Sequence, residues 1–218
     1  MKWLQTVLTA LAIAANLNTA GQAQTAGHPN INAQLLVSAR QNDLPALERS
    51  LARGAAPNSR NRLGKTALLM AAEKGHAAMA ERMMAAGADV NLASLEGVTP
   101  LMAAAYGGHA ALAKQLLEAG AKAEPLDRMK KPAVIYAAAQ GHAEVLALLL
   151  DRGVPVDAAY EQQLTALMWA AGQGQGEAVK LLLSRGAKSG LRDDRGLTAE
   201  QIARQAGHAQ IVQALTAR

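Results

Sequence analysis

Four histidines, His76, His109, His142 and His208, recur at multiples of thirty-three residues, with Gln175 in the remaining slot. Imidazoles on a fixed spacing suggest metal ligation first. The spacing argues against it. Units of this length stack side by side, so equivalent atoms in neighbours lie about 8–10 Å apart. Zinc–nitrogen bonds are about 2 Å, so two ladder imidazoles cannot share an ion. Each histidine is expected instead to open a helix and to hydrogen-bond local backbone.

A second group holds softer ligands. His76, Met79 and Met83 share one helical face, with Met84 and Met70 close by in sequence. Thioethers with an imidazole select Cu(I). Two periods further on, however, the same slots hold apolar residues such as Val145, Leu149 and Leu150, and methionine fills gaps in apolar cores. Core packing is therefore expected, with no metal and no cofactor. A small-ligand or copper-binding protein is the alternative of a different class. The serines at 38, 50, 59, 94, 184 and 189 lie in no G-x-S-x-G elbow. There is no H-E-x-x-H and no glycine-rich phosphate loop between a strand and a helix. Nucleophilic catalysis needs a base held beside its nucleophile, and nothing here supplies one. The chain is expected not to be an enzyme.

The elements carrying these residues repeat. Thr66, Thr99, Thr165 and Thr198 stand in register with Pro132, and Gly54, Gly87, Gly120, Gly153 and Gly186 form a parallel ladder. A threonine ahead of an apolar run caps a helix, and Pro100 suits a first turn. Gly75, Gly108, Gly141 and Gly174 end that first helix, where a left-handed residue is needed. The second helix is apolar at helical spacing, as at Val145, Leu146, Leu149 and at Val179, Leu182, Leu183. Alanine pairs such as Ala104-Ala105 let neighbouring first helices approach closely.

The stretch from Gly97 reads GVTPLMAAAYGGHAALAKQLLEAGAKAE, and that from Gly64 reads GKTALLMAAEKGHAAMAERMMAAGADVN. These resemble ankyrin repeats: G-x-T-P-L-x-x-A-A, x-x-G-H, an apolar helix and G-A-D-V-N. Leu69, Met102, Ile135, Met168 and Gln201 replace the usual histidine after T-P-L. Lys131, Pro132 and Ala133 replace the Thr-Pro start in repeat four. The resemblance implies an all-α solenoid of helix-turn-helix units joined by β-turn or hairpin fingers. The units fall at 31–63 (N-terminal cap), 64–96, 97–129, 130–162, 163–195 and 196–218 (C-terminal cap). Asp43 takes the histidine slot of the first unit, and the last carries polar residues outward, as array ends require.

Residues 1–23 read as a secretory signal peptide: Lys2 gives a positive start, 3–17 is apolar, and cleavage is expected after Ala20 or Ala23. Residues 24–30 form a polar linker. The short leader suits bacterial export, so the expected address is the periplasm, with no membrane attachment after cleavage. Cysteine is absent, which removes disulfides, thiol catalysis and a lipoprotein anchor. The net charge of +5 falls by one when Lys2 leaves. Bases are dispersed among acids with no aromatic platform, so nucleic acid is not expected as a partner.

What remains for function is surface. The turns at 59–63, 92–96, 126–130, 158–162 and 192–195 vary between units while packing positions do not. The resemblance implies that these fingers and the first helices line a concave groove binding another protein. The expected contact residues are Arg62, Leu63, Glu73, Lys74, Leu95, Glu96, Tyr106, Arg128, Met129, Gln140, Glu161, Gln162 and Gln173, in a chain monomeric by itself. Trp169 and Tyr136, equivalent residues one period apart, are expected to be semi-buried. Two roles fit the resemblance: support of a periplasmic catalase in peroxide defence, or immunity against a secreted antibacterial effector.

Overall fold

The structure, a computed structural model, describes residues 30–216. The signal-peptide expectation, with its cleavage site, lies outside the described residues. Within them are twelve α-helices, one short 3-10 turn and no extended strand, only an isolated bridge between Ala159 and Thr165. The helices pair into six units: α1 (Ile31–Gln41) with α2 (Leu44–Ala52), α3 (Ala67–Lys74) with α4 (Ala77–Ala85), and α5 (Pro100–Gly107) with α6 (Ala110–Glu118). There follow α7 (Ala133–Gln140) with α8 (Ala143–Asp151), α9 (Ala166–Gly172) with α10 (Gly176–Ser184), and α11 (Ala199–Gln205) with α12 (Ala209–Thr216). First helices pack on first helices and second on second, giving two layers.

Local chemistry sets the boundaries. The Thr66, Thr99, Thr165 and Thr198 hydroxyls accept the backbone N–H of Leu69, Met102, Met168 and Gln201. Gln201, at the departed histidine slot, also takes the Thr198 N–H at 2.9 Å, completing a reciprocal cap. Pro132 starts α7 with no side-chain cap. Asp43 caps α2 by accepting the Ala46 N–H at 2.9 Å, so the histidine slot of the first unit is used differently.

Each internal first helix lies between two others and its own second helix. Residues 67–72 of α3 and 100–105 of α5 are accordingly all buried. The second helices bury one face, including Met79 and Met83 at 1% and 0% exposure. Those two methionines are core residues. Their side chains are closed to solvent and pack in the apolar core.

Backbone bonds stitch the units together. Asn58, Asn91 and Asp157 side chains accept the N–H of Asp89, Lys122 and Lys188 in the next unit at 2.8–2.9 Å. Arg152 donates to the Leu117 carbonyl at 2.8 Å.

Candidate functional site

Each finger is closed at its base by one hydrogen bond spanning four residues: Asn61, Ser94, Asp127, Tyr160 and Asp193 donate their N–H to the carbonyls of Lys65, Val98, Lys131, Leu164 and Leu197. At three of these bases a carboxylate or amide oxygen also accepts two N–H groups of the same finger. Asn61 takes those of Leu63 and Lys65, Asp127 those of Met129 and Lys131, and Asp193 those of Arg195 and Leu197, at 2.8–3.0 Å. This ladder is what holds the tips in shape. Its sequence signal, Asn61, Asp127 and Asp193 two periods apart, is absent from the expected functional set.

Successive fingers are zipped by main chain. Leu95 donates to the Leu63 carbonyl, Arg128 to that of Glu96 and Asp194 to that of Gln162, at 2.9–3.0 Å. Glycine lies beneath the first two of these contacts, and Gln163 beneath the last. A Cβ on Gly64 would lie 2.8 Å from Leu95 N, and one on Gly97 would lie 3.0 Å from Asp127 Cα. The third finger has Lys130 in that slot, left-handed at φ 57°. Among the described residues no such bond joins the third finger to the fourth.

The histidine ladder stands at the turns between first and second helices, and its role differs from the sequence expectation. The His142 Nε2–H donates to the carbonyl of Tyr106 in the preceding unit at 3.0 Å, and His208 to that of Gly172 at 3.2 Å. Gln175 does the same to Ala139 at 3.2 Å. These bonds cross between repeats instead of serving local backbone. The reason is geometric: the ring lies against the left-handed glycine of the unit before, with His109 Nδ1 2.6 Å from where a Gly75 Cβ would stand.

On the first-helix face, Tyr106 is 57% exposed and meets Tyr136 edge to face, centroids 5.8 Å apart. Tyr136 is half-buried and donates its hydroxyl to Asp127 Oδ2. Burial raises its pKa strongly, and the Asp127 carboxylate adds to the rise, so it remains a phenol. Trp169 is half-buried beneath the Lys131 ammonium, 4.3 Å from the ring centroid. Tyr160 is raised by burial. Burial alone would raise Asp193 too. The N–H of Leu197 and the guanidinium and N–H of Arg195 outweigh it and hold the carboxyl below its usual range.

Two concavities open along this face. One of about 430 Å³ is lined by Lys65, Glu73, Lys74, Val98, Tyr106 and Tyr136. The other, about 320 Å³, lies between the third and fourth fingers above Ile135, Leu164 and Trp169. Of the sequence-derived contact residues, Glu73, Lys74 and Tyr106 border the first and Met129, Glu161 and Gln162 the second. Gln173 lines a hollow of about 210 Å³ beside Trp169, and Arg62 a larger one of about 590 Å³ against α1. Leu63, Leu95, Glu96, Arg128 and Gln140 are exposed outside these hollows. Glu73 is only partly exposed, tied to Lys65 at 2.6 Å. Glu96 and Arg128 pair across two fingers at 2.8 Å.

Among the described residues no group of three or more histidines and carboxylates is placed to hold a metal ion, and no helix is long and apolar enough to cross a membrane. A family profile described as Ankyrin repeats (3 copies) matches residues 35–129, 112–193 and 134–218. The chain belongs to the ankyrin-repeat family. No curated protein matches it. Ankyrin repeats are protein-interaction modules, typically non-enzymatic scaffolds, and this ankyrin-repeat protein presents the corresponding face: fixed fingers, first helices and two open hollows.

Proposed function

We propose that this ankyrin-repeat protein is an exported, periplasmic, non-enzymatic binding protein that docks one partner protein on its finger and first-helix face and is monomeric by itself. One observation carries the reading. Three successive finger tips hold large apolar side chains, Leu63, Leu95 and Met129, at 61%, 64% and 61% exposure, and Tyr106 on a first helix is exposed as well. Exposed apolar groups in a row are retained where a partner covers them. The fingers that carry them are closed at their bases by main-chain hydrogen bonds, so docking loses little conformational entropy. Export rests on the leader pattern of residues 1–23. Support of a catalase in peroxide defence and immunity against a secreted effector both fit such a surface, and the captured partner distinguishes them.

The experiment is affinity capture from the periplasmic fraction of the native host, with the wild-type chain beside two variants. Leu95→Ser with Tyr106→Ala alters the proposed face; Glu81→Ala with Lys114→Ala alters exposed second-helix positions. A stoichiometric partner lost with the first variant and kept with the second supports the reading. Loss with the second, or retention with the first, sinks it.

A further inference from the structure

Resting on that reading, we propose that the cleft between the third and fourth fingers takes an extended acidic segment of the partner, its main chain seated on the open finger edge and a carboxylate against Lys130 and Lys131.

The cleft exists because the zipper fails at one step. By register, the missing bond would run from Glu161 N–H to the Met129 carbonyl, and among the described residues neither group has a protein partner. Lys130, left-handed at φ 57°, stands in the slot of Gly64 and Gly97, whose would-be Cβ atoms crowd the next finger's backbone. Gln163 fills the same slot in the fourth finger and the Asp194–Gln162 bond still forms, so the gap also needs the fourth finger's own winding. The fourth finger is also wound differently: Gln162 and Gln163 are both left-handed, at φ 61° and 56°, inside a 3-10 turn, and Tyr160 replaces the asparagine or aspartate at its base. Its Gln162 carbonyl still accepts the Asp194 N–H of the fifth finger, in the register of the first two contacts. The third finger is left with an open acceptor facing an open donor.

A donor and acceptor separated by a cleft match the two sides of an extended peptide backbone, which adds to an edge by main-chain bonds. The floor is apolar, with Ile135, Leu164 and the Trp169 ring, and suits one non-polar side chain. The rim carries the charge. The Lys130 and Lys131 ammoniums have no carboxylate partner among the described residues, while the neighbouring Arg128 is already paired with Glu96. Glu161 opposes them as the cleft's single acid, leaving an excess of one positive charge. Lys131, partly desolvated over the Trp169 ring, binds a carboxylate more strongly than a fully hydrated surface lysine does, and the exposed Lys130 adds its charge beside it.

The test uses the whole ankyrin-repeat domain and labelled decapeptides of alternating glutamate and leucine, an isosteric glutamine version, and a single-stranded oligonucleotide as a polyanion control. Fluorescence anisotropy is expected to show binding of the glutamate peptide and at least tenfold weaker binding of the glutamine one. Lys131→Glu and Lys130→Gly are each expected to weaken it at least tenfold, the first by reversing charge and the second by removing a rim cation. Lys114→Glu, on the exposed second-helix face, is expected to leave it within twofold. No glutamate-peptide binding, or binding unchanged in Lys131→Glu and Lys130→Gly, overturns the proposal. So does oligonucleotide binding of equal strength that responds alike to both variants. In the capture experiment, a partner lost with Leu95→Ser/Tyr106→Ala but kept with Lys130→Gly and Lys131→Glu overturns the cleft alone; a partner kept with all of them overturns the docking face as well.

Discussion

Replacing Gly108 by alanine tests the central claim about the histidine ladder, that its rings clamp one repeat onto the next. Gly108 ends α5 at φ +71°, and a Cβ there would lie 2.6 Å from His142 Cε1. Gly120 supplies the control: it is left-handed too, at φ +90°, with nothing within 4 Å of its would-be Cβ. Gly120→Ala should therefore show backbone strain alone, about 1–2 kcal/mol. Gly108→Ala carries the same strain plus the steric term. The ring must swing away and lose its bond to the Tyr106 carbonyl, or neighbouring turns must shift, adding about 1–3 kcal/mol. His142→Ala should cost about 1 kcal/mol for the hydrogen bond, with some packing besides.

The double variant is decisive. With the ring gone, the steric term vanishes, so Gly108→Ala with His142→Ala should cost about 1–3 kcal/mol less than the sum of the singles. Urea unfolding followed by circular dichroism and by Trp169 fluorescence gives the values, and coincident transitions license the two-state treatment. If Gly108→Ala and Gly120→Ala agree within about 0.5 kcal/mol, or the double variant is simply additive, the ring is not the clamp and the reasoning fails.

Four further outcomes follow from the same structure. Asp127→Ala leaves the Met129 and Lys131 N–H groups without their acceptor and is expected to cost about 2–3 kcal/mol, while Asp127→Asn, which keeps the oxygen as Asn61 does in the first finger, should stay below about 1 kcal/mol by urea melt. Lys130→Gly relieves a left-handed lysine and should raise stability by about 1 kcal/mol, against a loss for Gly97→Lys, whose side chain meets Asp127; thermal melts compare the pair. Asp193 has a folded pKa below its unfolded one, so its contribution is complete above the unfolded value, near 3.9, and disappears as pH falls through the folded value; Asp193→Asn should flatten the acid limb of stability against pH, and an unchanged limb would refute this. Met83→Leu should cost under about 1.5 kcal/mol and Met83→Ala about 2–5, as for any core residue; a Cu(I)-induced rise in Tm abolished by Met83→Leu would instead restore the copper reading.

Repeat positions were legible in the sequence because the same physical demand recurs in each unit. The caps at Thr66, Thr99, Thr165 and Thr198, the left-handed glycines and the buried second-helix face all follow from local rules applied at a fixed period. The semi-buried placement of Tyr136 and Trp169 was legible too, since their slot lies on a helix packed on both sides. The partners of the ladder histidines were not. Which carbonyl a ring reaches depends on how far one repeat is rotated against the next, and no residue pattern reports that rotation. The finger-base ladder was readable in principle from Asn61, Asp127 and Asp193, but Ser94 and Tyr160 interrupt it and mask the period. Lys130 was hidden for a different reason: its meaning depends on Gly64 and Gly97 lying under a neighbouring backbone, a contact seen only in three dimensions.

That last point bears on how such an array can specialise. The helical layers run without a break from α1 to α12, and the unit carrying Lys130 packs its first helix as its neighbours do, with Ala133, Val134 and Ile135 all buried. The stability of a stacked array is close to a sum over units and their interfaces. A change confined to the finger layer alters one main-chain bond between two fingers and leaves the interface terms of the helices in place. Its cost is the left-handed lysine and one exposed hydrogen bond, each about 1 kcal/mol. The helical layers can therefore hold constant while changes in the finger layer decide whether adjacent fingers close, as between the first and second and the second and third, or stand apart, as between the third and fourth.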